Sequence, residues 1–371
     1  MTSIQEWPKG LRALVLALTV VVGSSVLFAA GEVTVRIRHR LKYGNLWGIE
    51  DTYTIDPAST LRVPVAGGNF GPIHINSRGF RGPEISQPKP ASTVRMAFLG
   101  ASTTYCGEVS SNEKAWPHIV TESLRRNWPA AQFDYVNAGV PGYGVQDSLK
   151  SLRVRVASLQ PDVIVIYEGH NDISGIGLEL ARQQGLATQP TEKTLSWLSK
   201  YSLLWYLVEK NLMILNKQRT ALRAEGTLQI DRETFAAPFE GDLIELVTAS
   251  HQVVDLVALV TLSAQLRRDQ SPKQKLQASV TSLYYMPYMS ADGVIESFES
   301  FNDIIRKVAR ETGALMVENE NSIPGTKQYF ADSIHFTDEG SRLQAERVSR
   351  ALMNSTRMRE IVNRKTSGAT P

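Results

Sequence analysis

Four short polar blocks contain between them the parts that ester hydrolysis needs: Gly100-Ala-Ser102-Thr-Thr104, Asn137-Ala-Gly-Val-Pro-Gly142, Gly169-His-Asn171-Asp172 and Asp332-Ser-Ile-His335. Acyl transfer requires a nucleophile, a base to take its proton, a group that orients the base, and donors for the oxyanion. Ser102, His335, Asp332 and the pair Gly142 and Asn171 are of the right types for those roles, in that order. Each block also has a plainer reading. A Ser in Gly-Ala-Ser-Thr-Thr is commonly a helix cap. Gly142, with Gly139 and Gly144 beside it, reads as a turn glycine, and Asn171-Asp172 as a turn or cap. Asp332-x-x-His335 is the most specific pair. Its four residues, in a turn before a helix, bring a carboxylate to an imidazole and fix its tautomer.

The elements that must position these blocks follow from hydrophobic patterning. Residues 94–99, 133–136, 163–167, 257–261 and 314–317 are short, nearly continuous apolar runs, as expected of strands buried on both faces. Helical stretches lie between or after them at about 115–127, 145–158, 298–312 and 339–353. The alternation predicts an α/β fold, with a parallel sheet, right-handed crossovers and helices on both faces, over residues 92–356. Ligands bind such sheets at the carboxyl ends of the strands, where Ser102, Gly142 and Asn171 fall. A helical insertion at about 174–250 interrupts the rhythm. Its segment 195–215 is strongly apolar, yet Lys200, Glu209 and Lys210 argue against a second membrane span. A helix packed on the core is the favoured reading there, and a lid or membrane-facing helix the alternative. Residues 357–371 read as a C-terminal tail.

Residues 13–31 carry no charge and are long enough to cross ~30 Å of hydrocarbon. A signal peptide would want a small side chain where Phe28 stands, and uniform apolarity argues against an ordinary core helix. An uncleaved single-pass anchor is therefore expected. Arg36, Arg38, Arg40 and Lys42 after the span outnumber Lys9 and Arg12 before it, which favours a cytoplasmic domain by the positive-inside rule. A short tail followed by one span and a large domain is nevertheless the usual export arrangement, and an extracytoplasmic domain is the preferred expectation. Read as an extended segment, Val35 to Lys42 would gather its bases on one face, suited to anionic headgroups, and a solvated strand edge or frayed helix end is the equal alternative. Residues 32–91 form a juxtamembrane stretch and a small β or loop subdomain, closed by a linker at Gln87–Ala91.

Together the four blocks resemble the SGNH hydrolases of the GDSL esterase and lipase superfamily, over about residues 94–355. The resemblance implies a three-layer flavodoxin-like fold. It assigns Ser102 as nucleophile and oxyanion donor, Gly142 and Asn171 as the other two donors, and Asp332 and His335 as the rest of the triad. The register Asn137-x-x-x-x-Gly142 selects Gly142 over Gly139. Ala101 departs from the family, which usually has Asp there, and the departure bears on local geometry more than on activity. The run Asn76-Ser-Arg-Gly-Phe-Arg-Gly82 resembles a lead-in segment of membrane-anchored bacterial members.

Other chemistries lack their signatures. Gly-x-Ser-x-Gly, a Walker loop, Gly-x-Gly-x-x-Gly after the first strand and His-Glu-x-x-His are all missing, so no cofactor or metal is expected. Cys106 is the only cysteine, which excludes an intrachain disulfide. A net charge of +3 without a concentrated stripe gives no case for nucleic acid. The expected partners are an ester-bearing substrate, by preference an O-acetylated cell-envelope glycan with a lipid or a thioester as the alternatives, membrane lipids, and membrane proteins meeting residues 13–42 and 195–215. The sequence leaves hydrolysis and O-acyl transfer open, and a non-catalytic scaffold is the rival from another class.

Overall fold

The structure is a computed structural model that describes residues 7–43, 52–187, 196–223 and 227–367. Five strands make the central sheet: β5 (Thr93–Gly100), β6 (Gln132–Asn137), β7 (Val163–Tyr167), β8 (Leu256–Val260) and β9 (Leu315–Val317). They are parallel throughout and lie in the order β6-β5-β7-β8-β9. This is the flavodoxin-like arrangement, whose topological switch point falls at the carboxyl end of β5. Every residue of β5, β7 and β8 is buried, which accounts for the unbroken apolar runs of β7 and β8 and for a run in β5 interrupted only by Arg95.

Two small antiparallel hairpins precede the sheet, β1 (Tyr53–Ile55) with β2 (Arg62–Pro64) and β3 (Asn69–Phe70) with β4 (Ile73–His74). The helices are α1 (Lys9–Tyr43), α2 (Ser102–Tyr105), α3 (Trp116–Asn127), α4 (Val145–Ser151), α5 (His170–Gln183), α6 (Leu203–Arg223), α7 (Arg232–Phe235), α8 (Ala237–His251), α9 (Pro272–Ala278), α10 (Val280–Tyr285), α11 (Ala291–Thr312), α12 (Asp338–Asn354) and α13 (Thr356–Ser367). Helices α3 and α12 pack together on one face of the sheet, and α4, α8 and α11 on the other. One core joins the layers, with Trp116, Phe98, Tyr167 and Phe301 among its largest buried side chains. Buried Arg95 on β5 is held by both carboxylate oxygens of Asp134 on β6, at 2.6 and 2.8 Å, and by the carbonyls of Leu159 and Ser86.

Several expectations need correction. The segment Val35 to Lys42 is helical, not extended, because α1 runs unbroken to Tyr43. Residues two apart on a helix point to nearly opposite sides, so Arg36, Arg38 and Arg40 do not share one face. The insertion is narrower than 174–250: α5 continues to Gln183, and α8 is the helix that returns the chain from β7 to β8. The apolar segment 195–215, whose first residue lies outside the described ones, is not a core helix. It forms a 3₁₀ turn at Trp197–Lys200 and then α6, which packs on α1 and α10 and leaves Leu198, Val208, Leu212 and Leu215 exposed. Residues 357–367 of the expected tail belong to α13, whose Met358, Ile361 and Val362 are buried at helical spacing, while 368–371 lie outside the described residues. The linker at Gln87–Ala91 is pinned: Lys89 pairs with Asp162 and donates to the Gln160 carbonyl at 2.7 Å.

Candidate active site

Ser102, Gly142, Asn171 and His335 line one cavity of about 550 Å³ above the carboxyl ends of the strands. Ser102 opens α2 directly after β5. That helix is a single turn, so its dipole is small, and any stabilisation of an oxyanion falls to individual N–H groups. The Ser102 hydroxyl lies 2.7 Å from His335 Nε2, and His335 Nδ1 lies 2.8 Å from Asp332 Oδ2. With Nδ1–H donated to Asp332, the Nε2 lone pair faces the serine, as proton abstraction requires. The other oxygen of Asp332 accepts the backbone N–H groups of Ile334 and His335, both at 2.9 Å. Burial works against both ionised forms. The hydrogen bond and opposite charge of the pair outweigh it, raising the His335 pKa and, with those two N–H groups, lowering that of Asp332.

The second and third blocks close on the nucleophile turn. Asn137 donates to the Thr104 carbonyl at 3.0 Å and accepts from Gly139 N at 3.1 Å. A side chain at Gly139 would put Cβ 2.6 Å from Tyr105 N, so only glycine permits this approach. Gly142 has φ +91°, and the preceding Pro141 carbonyl accepts from Arg62. Asn171 donates one amide hydrogen to the Tyr143 carbonyl at 2.7 Å, and the same amide carries a second hydrogen. On either side of Asn171, Glu168 is hydrogen-bonded to Ser148, and Asp172 accepts from Val145 N at 3.1 Å. Burial raises both carboxyls, Asp172 to about 6 and Glu168 well above its usual range.

The departure at Ala101 has a physical explanation. Ala101 is 1% exposed and packs with Leu61, Val63, Val140 and Tyr143, so a carboxylate there would be buried against apolar side chains. The small β subdomain therefore packs, through Leu61 and Val63, against the turn that carries Ser102.

Arg81, in the Asn76 to Gly82 run, was not among the expected site residues. Asn76 folds that run by accepting the N–H groups of Arg78 and Phe80, each at 3.0 Å. The buried Arg81 guanidinium then donates to the carbonyls of Tyr105, Cys106 and Ser111 and to Asn112 Oδ1, and Arg81 bridges to Asn137 through the backbone. It thereby holds the carboxyl end of α2 against the second block. The available signal was an arginine within a Gly- and Asn-rich run, but its acceptors lie far along the chain. His170 was also passed over. It is buried beside Phe298 on the cavity wall, and burial holds its imidazole neutral, with a pKa near 3.

Among curated proteins, none matches the chain. Solved structures similar to it include a variant of the acetyl xylan esterase Axe2 from Geobacillus stearothermophilus, at 16% identity over 70% of this chain and 94% of that one, with TM-score 0.42. An α/β hydrolase, LAE5, from the metagenome of Lake Arreo, Spain, aligns at 16% identity over the same shares with TM-score 0.43. The profile of the GDSL-like lipase/acylhydrolase family matches residues 98–343, from the middle of β5 into α12. That match spans well over half of the chain and includes all four polar blocks, and the chain belongs to the GDSL-like lipase/acylhydrolase family.

Proposed function

We propose that the protein is a membrane-anchored serine esterase working through an acyl-enzyme on Ser102. The observation that carries this reading is the unbroken contact from Asp332 through His335 to Ser102, with distances of 2.8 and 2.7 Å. Ser102 Oγ attacks the ester carbonyl as its proton passes to His335 Nε2, and Asp332 stabilises the imidazolium. The tetrahedral oxyanion takes the N–H groups of Ser102 and Gly142 and the free amide hydrogen of Asn171. Collapse expels the alkoxide, which leaves with the proton from His335. Water, deprotonated by His335, then attacks the acyl-Ser102, and the proton returns to the serine as the acid departs. An acceptor hydroxyl in place of that water would make the same intermediate an O-acyltransferase.

Residues 13–31 serve in this reading as an uncleaved anchor with the domain outside the cytoplasm. Their support is the continuity of α1, exposed along its apolar length and tied to α6 just beyond Gly31. An O-acetylated envelope glycan and a lipid-borne ester are both compatible with a cavity of this size.

A serine-directed fluorophosphonate should label the wild-type chain and not Ser102→Ala. Ser102→Ala and His335→Ala should each lower ester turnover by ~10³-fold, and the double variant should add little, since the residues act as a unit. Near-normal turnover by Ser102→Ala would overturn the mechanism and favour a scaffold. N-terminal sequencing of the membrane fraction tests the anchor, and a chain starting near Gly31 would refute it. Protease treatment of spheroplasts tests the orientation, and digestion only after lysis would place the domain inside.

A further inference from the structure

We infer that residues 196–223 form a second membrane-contact element beside the anchor, so that the esterase takes acyl esters carried by amphiphiles resident in the bilayer. The inference rests on the proposed hydrolase and anchor. The apolar run of α1 ends at Gly31, and the next residue, Glu32, is bonded to the start of α6. Its carboxylate accepts from Ser202 Oγ at 2.8 Å, Leu203 N at 3.0 Å and Leu204 N at 2.9 Å. Arg36, one turn further, pairs with Glu32 at 2.6 Å and donates to the Tyr201 carbonyl at 3.1 Å. A Cβ on Gly31 would lie 2.9 Å from Leu204, so the two helices meet closely here. The first turn of α6 is thereby fixed at the level where hydrocarbon gives way to headgroups.

The side chains exposed from that level onward suit such a boundary. Trp197 is 68% exposed, Tyr201 70% and Leu212 60%. Amphipathic aromatic rings concentrate where a bilayer meets water, and exposed apolar surface continuous with a spanning helix is suited to lipid. The same two helices also reach the active site. His39 of α1 and Lys210 of α6 line the cavity that holds Ser102 and His335. His39 is seven residues beyond Glu32, about 10 Å along a helix rising 1.5 Å per residue. The cavity mouth therefore opens within headgroup reach, with apolar Phe70, Ile73 and Met286 inside it for the acyl chain. Hydrolysis there adds one water across the ester, releasing the acid and leaving the alcohol on the amphiphile.

The test uses the full chain reconstituted in vesicles of phosphatidylethanolamine and phosphatidylglycerol. Two esters are compared, soluble p-nitrophenyl acetate and a palmitoyl-acetyl-glycerol embedded in the same vesicles. The double variant Trp197→Asp with Leu212→Asp, which alters no cavity residue, should hydrolyse the soluble ester within twofold of wild type. Its rate on the vesicle-borne ester should fall at least tenfold. An environment-sensitive dye on Trp197→Cys should report an apolar setting and be quenched by lipid-borne quenchers; the native Cys106 is buried and will not compete. Equal loss on both esters, a dye exposed to water, or turnover of an O-acetylated polymer with the vesicle ester untouched would overturn the inference. Failure of the hydrolase reading looks different, since neither ester would turn over and no fluorophosphonate would attach at Ser102.

Discussion

Replacing Arg81 tests whether the nucleophile turn is held from outside the four polar blocks. The guanidinium satisfies three backbone carbonyls, of Tyr105, Cys106 and Ser111, and the side-chain oxygen of Asn112, in a setting 2% exposed. An orphaned buried acceptor costs ~1–3 kcal/mol, and water entering the vacated space recovers part of that. Arg81→Ala, which orphans four acceptors and leaves a cavity for water to fill in part, should therefore destabilise by ~3–5 kcal/mol. That is a large share of the ~5–15 kcal/mol that holds a domain together, so kinetics belong with Arg81→Lys. A lysine keeps the charge but loses the fork, and cannot reach all four acceptors together. Freed at its carboxyl end, α2 lets Ser102 drift from His335, and a misplacement of ~1 Å can cost ~10²-fold in rate. With part of the clamp retained, Arg81→Lys should lose about tenfold in kcat, with KM within twofold and fluorophosphonate labelling slowed in step. Thermal melts establish that the variant is folded at the assay temperature. A folded Arg81→Lys protein that labels and turns over at the native rate would refute the clamp.

Three further outcomes can be measured. Asn171→Ala should lower kcat by ~10²-fold with a smaller change in KM, because its free amide hydrogen is needed most in the transition state; a raised KM with native kcat would make it a ground-state contact. The His335 pKa is raised above 6.5 because the bond and charge of Asp332 outweigh burial, and the base must be neutral to act. The kcat/KM of the free enzyme should thus rise with pH through a limb centred above 6.5, and Asp332→Asn should move that limb down; a wild-type limb below 6.5 would contradict the pairing. Ala101→Asp restores the residue usual in the family but places a carboxylate among Leu61, Val63, Val140 and Tyr143. It should destabilise by ~2–4 kcal/mol in denaturant titrations, and an unchanged midpoint would show that the pocket accommodates charge.

What could be read in the sequence was local and periodic. Strands β7 and β8 are buried on both faces and leave uninterrupted apolar runs, β5 is interrupted only by Arg95 and β6 only by Asp134, and β9 is short and half-buried. The first three polar blocks stand out because each begins where such a run stops, and the fourth because it lies in the turn before α12. Helix α11 begins at Ala291, ahead of the expected 298, and Ser290 caps it by accepting from Gly293 N at 3.0 Å. That cap precedes the apolar periodicity and has no acid or amide three residues on to mark it. The helical spacing of Met358, Ile361 and Val362 was present but lay among charged residues near the chain end. The role of Arg81 is of another kind. Its acceptors lie 24 to 31 residues downstream, and a buried arginine bonded to carbonyls has no sequence pattern. For α6 the apolar content was clear. What the pattern could not tell is whether that surface meets protein or solvent, since apolarity is the same for either.

This division of what is legible also divides the site. The residues proposed to break the ester stand at strand ends and in the turn before α12, within the segment matched by the family profile. Further cavity walls come from outside the sheet: Tyr53, Phe70 and Ile73 from the hairpins and His39 from α1, all ahead of that segment, and Lys210 from α6 with Tyr285 and Met286 at the end of α10, within it. Family membership thus speaks to the chemistry at Ser102, while the choice of ester depends on elements outside the common sheet. Substitutions in the walls should accordingly change which ester is taken, through kcat/KM ratios between substrates, while a fluorophosphonate that reads only the serine and its base keeps labelling at the native rate. A wall substitution that slowed labelling as much as turnover would show instead that wall and nucleophile turn are one packed unit, as the contact of Leu61 and Val63 with Ala101 already makes them on the hairpin side.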